Sequence, residues 1–232
     1  MFGLFRFDWT ILIVLPGLII SIWAQIKVST TYNKYSKVFT KRGITGAEAA
    51  RAILDANGLS YIRIERVRGH LTDHYDPRKN VIRLSDSVYG SASTAAVGVA
   101  AHEAGHAVQY SQDYFPIKIR GAVIPVSRFG SMLAIPLFFI GLIFYYEGLM
   151  LLGIILYGAV ALFQLVTLPV EFNASARALR ALEGSGILAR DELSGAKRVL
   201  GAAAMTYVAA LLTSLLTLLR LLLLAGSRGN RR

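Results

Sequence analysis

His102-Glu103-Ala104-Gly105-His106 is the stretch that decides the architecture of this chain. Each residue of an α-helix turns about 100°, so positions i and i+4 lie on one face, one turn apart. The two imidazoles can therefore reach one small cation, with Glu103 beside them. Small apolar residues flank the stretch on both sides, which indicates a buried helix, where an unpaired charge is costly. A metal ion would be a partner for all three side chains; a polar helix with two surface histidines is the alternative.

Composition restricts the chemistry of such a site. The chain has 232 residues, 54% of them apolar, with a formal charge of +11 and no cysteine. Disulfides and thiolate ligands are therefore excluded, and metal ligands must be nitrogen or oxygen. The basic residues cluster at the ends of apolar segments, where anionic lipid head groups account for them, so no nucleic-acid partner is expected.

Four uncharged segments predict membrane-spanning helices. They are residues 9–26, 129–146, 148–170 and 199–219. Each is close to the roughly 20 residues that a span requires. We interpret the first segment as an uncleaved anchor rather than a signal peptide, because its apolar run is long and no clean cleavage site follows it. Only a break at Glu147 separates the second and third segments, which predicts a helical hairpin across the bilayer.

Basic residues predict the orientation of these spans. Lysines and arginines follow the first segment, precede the second and lie between the third and fourth. The positive-inside rule places these regions in the cytoplasm and the N-terminus, with Arg6, outside. Four full spans would also leave Arg228, Arg231 and Arg232 outside, against the rule, so the topology of the last segment stays open. We expect a multi-pass protein of the plasma membrane.

The main water-facing region lies between the first two apolar segments. Thr45 is a predicted N-cap, with Glu48 three residues further, of a short helix that ends at Gly58. Alternating and extended stretches follow, which predict a small antiparallel sheet beside the motif helix. They are Tyr61 to Val67, His70 to Tyr75 and Asn80 to Leu84, with a turn at Asp76 to Asn80. An open edge of that sheet could hold an extended peptide by backbone pairing.

A catalytic zinc site needs a third protein ligand. A metzincin would have a glycine and a third histidine at the positions of Gln109 and Gln112, so that class is excluded. Glu171 ends the third apolar segment on the predicted side of His102, and a glutamate there is costly unless it is paired. An interfacial carboxylate hydrated by head-group water is the alternative to a ligand.

Three separate motifs resemble one protein family. Ala101 to Gln109 reads AHEAGHAVQ, Leu71 to Arg78 reads LTDHYDPR, and Leu168 to Ser175 reads LPVEFNAS. Together they resemble the YugP-like neutral zinc metallopeptidases over nearly the whole chain. The chain is also distantly similar to membrane proteases of the HtpX type, which carry Glu-x-x-x-Asp after a pair of membrane helices. The resemblance implies that Glu171 binds zinc, whereas Ser175 stands where those proteases have aspartate.

The predicted fold class is a mainly α membrane protein with a small α+β zincin-like metalloprotease domain and about four transmembrane helices. We expect five segments along the chain. They are an N-terminal anchor (1–28), a cytoplasmic zincin-like domain with a small sheet and the motif helix (29–128), a transmembrane hairpin (129–170), a third-ligand helix and cytoplasmic loop (171–198), and a C-terminal membrane helix with a basic tail (199–232).

These observations predict a membrane-bound zinc metalloendopeptidase of the gluzincin type. We expect one Zn²⁺ per chain, held by His102, His106 and Glu171, with Glu103 as the general base for hydrolysis. The site should face the cytoplasm and cleave a peptide or a membrane protein, while the oligomeric state is not predicted. A zinc-binding membrane scaffold or chaperone without turnover is the alternative. A transporter is disfavoured because it should place charged or amide side chains in mid-span, where the apolar runs have only Gln164.

Three residues are candidate donors to the oxyanion that forms during hydrolysis. Tyr207 is a lone phenol in an apolar helix, where packing would explain it as well. His74 could instead stabilise a turn or act as an added ligand with His70. Arg177 is the third candidate, two residues beyond Ser175.

Overall fold

The computed structural model describes residues 9–229, so the predictions about Arg6, Arg231 and Arg232 lie outside the described residues. Within that range a short 3-10 helix, Trp9–Ile13, precedes seven α-helices and three strands. In chain order these are α1 (Leu15–Tyr35), α2 (Gly46–Ala56), β1 (Arg63–Val67), β2 (His74–Asp76), β3 (Val81–Ser85), α3 (Asp86–Tyr89), α4 (Thr94–Ser111), α5 (Phe115–Ile143), α6 (Glu147–Gly184) and α7 (Arg190–Gly229). The predicted class, a mainly α membrane protein with a small α+β region, is confirmed.

Among the described residues, four helical stretches are long and apolar enough to cross a membrane, which matches the predicted number. They are Trp9–Tyr35, Phe115–Ile143, Glu147–Gly184 and Arg190–Ser227. Each is longer than its uncharged segment, because a helix continues through polar residues as long as its backbone hydrogen bonds are made, although α5 ends three residues before its segment does. The predicted break near Glu147 is present, since α5 ends at Ile143 and α6 begins at Glu147.

The chain divides into two compact units. One contains 119–168 together with the described parts of both ends of the chain, up to Trp23 and from Tyr207. Its helices α5 and α6 pack closely, since a Cβ on Gly153 would lie 2.7 Å from the carbonyl oxygen of Ala134. The second unit contains Ala24–Lys118 and Pro169–Thr206. The five-segment division remains a prediction.

Helix α2 of the second unit begins as the sequence predicts. The Thr45 hydroxyl accepts the Glu48 N–H at 3.3 Å, and the Glu48 carboxylate accepts the Thr45 N–H at 2.8 Å. This reciprocal capping box satisfies two donors that a helix start leaves without intrahelical partners. The buried side chains of Ile53 and Leu54 then join the core that surrounds α4.

The three strands form one mixed sheet in the order β1-β3-β2. Strands β2 and β3 are antiparallel, with Tyr75 opposite Ile82, whereas β1 and β3 are parallel, with Ile64 opposite Ile82. The prediction of an antiparallel sheet was therefore wrong for the β1–β3 pair. Polar and apolar residues alternate in the same way in parallel and in antiparallel strands, so the sequence pattern does not distinguish the two kinds of pairing.

Candidate metal centre

Helix α4 carries the two motif histidines. It begins at an N-cap serine, Ser93, whose hydroxyl accepts the Ala96 N–H at 3.2 Å. The rings of His102 and His106 lie on one face with centroids 4.7 Å apart and planes at 84°. The predicted helical spacing thus brings both imidazoles together, in a helix that is buried over most of its length.

Glu171 of α6 completes the cluster. Its Oε2 atom lies 3.2 Å from Nε2 of His102 and 3.5 Å from Nε2 of His106, and the residue is 2% exposed. One ligand atom from each of the three residues lies within 4.8 Å of the others, the single such group found in the described part of the chain. Two imidazole nitrogens and one carboxylate oxygen are the donor set of many catalytic zinc sites, so the residues fit a zinc ion.

A close approach of two backbones brings Glu171 to the histidines. A Cβ on Gly105 would lie 2.6 Å from the carbonyl oxygen of Ala174, so only glycine fits between α4 and α6 at this point. Because α6 is so near, even the short side chain of Ser175 reaches Nδ1 of His102, at 3.1 Å. The glycine of the motif therefore has a packing role beside the chemical residues.

His106 is held by a buried amide. Its Nδ1 lies 3.0 Å from Oε1 of Gln109, one turn further along α4. The Gln109 nitrogen donates to the Val170 carbonyl at 2.8 Å and to Oδ1 of Asn173 at 3.0 Å. Both partners belong to α6, so Gln109 connects the second histidine to the helix that carries Glu171.

Glu103 lies next to the cluster in a closed environment. It is 8% exposed, and the backbone N–H of Tyr75 in the edge strand β2 donates a hydrogen bond to it. Burial raises the pKa of the Glu103 carboxyl to about 7; His102 opposes this rise, and the negative charge of Glu171 adds to it. A carboxyl with such a pKa can both accept and release a proton near neutral pH.

The other candidates are not members of the metal-ligating group found among the described residues. His74 is exposed on β2, where its Nδ1 donates to the Thr72 carbonyl at 2.9 Å and its Nε2 lies 3.4 Å from an Arg83 nitrogen. His70 contacts the ring of Tyr32, and Tyr207 belongs to the other compact unit. Neither His74 nor His70 joins the metal-ligating group within the described residues.

Arg177 is bound to neighbouring side chains in this structure. Its Nε donates to Oδ1 of Asn173 at 2.7 Å, and its Nη1 donates to the Gln112 side chain. The guanidinium carbon also lies 5.9 Å from the centre of the Tyr114 ring. The oxyanion roles of Arg177, His74 and Tyr207 stay predictions.

Sequence reasoning missed the role of Gln109. The residue served only to exclude a metzincin, yet its side chain is fully buried and all its polar atoms are used. A signal was present, because an amide between Val108 and Tyr110 in an otherwise apolar helix needs partners. Its spacing of three residues after His106 places it on the ligand's side of the helix.

The described residues combine four helices apolar enough to span a membrane with a His-His-Glu cluster that fits a zinc ion, and the comparisons with known proteins point to the same class. Residues 10–226 match the family described as "Putative neutral zinc metallopeptidase". The chain belongs to this family.

One curated relative extends this assignment. The chain is 48% identical to the "Putative membrane protease YugP" of Bacillus subtilis (strain 168) over 214 residues, which cover 92% of this chain and 95% of the relative. No solved structure matches the chain. The resemblance to YugP-like proteins, stated above from three motifs, is thus confirmed over nearly the full length.

Proposed function

We propose that this chain is a membrane-bound zinc endopeptidase. The convergence of His102, His106 and Glu171 within 4.8 Å carries the proposal, because two histidines and a glutamate beside a buried second glutamate form the donor set and base of a zinc hydrolase. Membership of the metallopeptidase family and the relative named as a membrane protease support it. We propose one Zn²⁺ per chain.

The chain's own residues supply the rest of the chemistry. When bound, zinc provides a Lewis acid that polarises a peptide carbonyl and lowers the pKa of water. Glu103 takes a proton from the attacking water and then gives it to the leaving amine. The Tyr75 N–H favours the charged form of Glu103, which is the form that takes the proton. Low exposure of Glu103 and Glu171 limits competing water around them.

Two substitutions distinguish the role of the general base from that of a metal ligand. Glu103→Gln keeps the shape of the side chain but removes the base, so we expect zinc content equal to wild type and loss of peptide cleavage. Glu171→Ala removes a ligand, so both zinc content and cleavage should fall. The measurement is metal analysis and proteolysis of an unfolded model protein by each variant, purified in detergent. Normal cleavage by Glu103→Gln would contradict the assigned base.

A zinc-binding scaffold without turnover is the second candidate. Two of the three ligands are buried, with Glu171 2% and His106 9% exposed, as in many structural zinc sites, while His102 is partly exposed. The same experiment separates the two functions. Zinc bound by the wild type without cleavage of soluble or membrane-embedded substrates favours the scaffold, whereas cleavage that depends on Glu103 favours the peptidase.

We also propose that the protein spans the plasma membrane several times with the site on the cytoplasmic side, on the basis of the positive-inside rule. Because the chain has no cysteine, single cysteines report on topology without background. In intact cells a membrane-impermeant maleimide should label Glu147→Cys, at the start of α6 next to the turn between two spans, but label Lys79→Cys only after permeabilisation. The reverse pattern would place the site outside.

A further inference from the structure

Gln109 has a geometry that determines the protonation of a metal ligand. A backbone carbonyl can only accept a hydrogen bond, so the Gln109 atom 2.8 Å from the Val170 oxygen must be the amide nitrogen. The Gln109 oxygen must then face Nδ1 of His106, 3.0 Å away. An amide oxygen can only accept, so Nδ1 of His106 carries a proton.

A second set of contacts supports the same orientation of the amide. Arg177 is always a donor, so the Asn173 atom that it contacts at 2.7 Å must be the side-chain oxygen. That oxygen also accepts from the Gln109 nitrogen at 3.0 Å. Two obligate partners, the Val170 carbonyl and the Arg177-bound Asn173, therefore fix which end of Gln109 faces the histidine.

The consequence appears on the other side of the His106 ring. With the proton on Nδ1, a neutral imidazole has its lone pair on Nε2, 3.5 Å from the Glu171 carboxylate. Two acceptors at that distance repel unless a proton or a metal cation lies between them, and a metal ion that replaces the proton finds on Nε2 the lone pair it requires. The buried amide thus prepares His106 as a ligand before any metal binds.

His102 lacks a comparable restraint. Its Nδ1 lies 3.1 Å from the Ser175 hydroxyl, and a hydroxyl can either donate or accept. Ser175 consequently tolerates both tautomers of His102, whereas Gln109 permits one tautomer of His106. The two ligands therefore differ in how strongly the protein fixes them.

We propose that Gln109 is a positioning residue that holds His106 with its proton on Nδ1 and its Nε2 lone pair directed to the metal position shared with Glu171. The proposal rests on the proposed zinc function and names one residue that prepares that site. Gln109 does so from a fully buried position, through hydrogen bonds that join α4 to α6.

Two variants of the full-length protein in detergent separate orientation from packing. Gln109→Met keeps the length of the side chain but has no strong acceptor for Nδ1–H, so its zinc dissociation constant should rise about 10- to 100-fold. Gln109→Glu keeps an oxygen for Nδ1–H but loses both donors to α6. Its zinc affinity should stay within a few-fold of wild type while its thermal midpoint falls. Gln25→Met, at an exposed position of α1, is the matched control and should change neither quantity.

The readouts are zinc affinity by competition with a chromophoric chelator and the ¹⁵N spectrum of the imidazoles. The chain has four histidines, so single substitutions assign their signals. In the metal-free wild type, the Nδ1–H signal of His106 should be protected from exchange with water, and Gln109→Met should lose that protection. Wild-type zinc affinity and a protected Nδ1–H in Gln109→Met would overturn the proposal, as would an equal loss of affinity in Gln109→Glu and Gln109→Met.

These measurements do not require peptide cleavage, so they can fail independently of the proposed function. A protein that binds zinc in a Gln109-dependent way but cleaves nothing supports this inference and contradicts the peptidase. A protein that cleaves peptides while Gln109→Met binds zinc as wild type does supports the peptidase and contradicts this inference.

Discussion

Gly105→Ala should weaken zinc binding without large loss of the fold. A methyl group at this position would lie 2.6 Å from the Ala174 carbonyl oxygen, and an ordinary contact begins near 3.4 Å, a difference of 0.8 Å. The obstacle is backbone, which cannot turn aside as a flexible side chain can. Helices α4 and α6 must therefore separate by about 0.8 Å at this point, and Glu171 and Ser175 flank Ala174 on α6.

The effect on stability is the sum of two opposed terms. Alanine is favoured over glycine in a helix interior by about 1 kcal/mol. Forcing an extra methyl into a packed interface costs about 1–3 kcal/mol. The net change ranges from near zero to about 2 kcal/mol of destabilisation, which leaves most of the protein folded.

Gly105→Ala should affect zinc binding more than it affects the stability of the fold. Ligand distances in metal sites are defined to about 0.2 Å, so a separation several times larger removes Glu171 from its ligating position. We expect the zinc dissociation constant to rise at least about tenfold, measured by chelator competition in detergent. Gly201→Ala is the matched control, because a Cβ there meets nothing within 4 Å. Wild-type zinc affinity in Gly105→Ala, with the same thermal midpoint as Gly201→Ala, would refute this reasoning.

Three further perturbations test other contacts. Ser175 contacts Nδ1 of His102 without fixing its tautomer, so Ser175→Ala should lower zinc affinity by less than about tenfold in the same competition assay. A loss as large as that of Gln109→Met would be inconsistent with the contrast between the two histidines. Thr45→Ala removes the capping box of α2 at a cost of about 1 kcal/mol, so amide exchange should accelerate across Gly46–Ala56, and unchanged exchange would show that the cap is dispensable. Removal of zinc by chelation should lower the thermal midpoint of the wild type but not of Glu171→Ala, because a ligand stabilises only a folded state that binds it; an equal shift in both would mean that Glu171 is not a ligand.

Local rules predicted the parts of the site that lie close in sequence. Helical geometry alone places His102 and His106 on one face, and in the structure their ring centroids lie 4.7 Å apart. The cap at Thr45 and the number of apolar helices also follow from short patterns. Glu171 was a candidate because a carboxylate at the end of an apolar segment is costly unless paired, an argument about energy and not about geometry.

Other features depend on tertiary contacts that no short pattern contains. The parallel pairing of β1 with β3 follows from the path of the chain through β2. Alternation of polar and apolar residues contains no information about the direction of pairing. Gln109 looks like a mismatch in sequence, because its partners Val170 and Asn173 lie 61 and 64 residues away. Its role becomes visible only when α6 lies against α4.

Small residues on α4 are therefore as important to the proposed chemistry as the ligands. Gly105 admits the backbone of α6 at Ala174, and Gly98 brings α4 close to Ala196 of α7, where an added Cβ would lie 3.2 Å from the alanine methyl. A larger residue at position 105 would keep both histidines but hold α6 too far away for Glu171 and Ser175 to reach them, whereas a larger residue at position 98 would press on α7. The motif thus encodes two requirements at once, ligands at positions i and i+4 and a gap for the third ligand's helix between them, and Gly105 is the residue that satisfies the second.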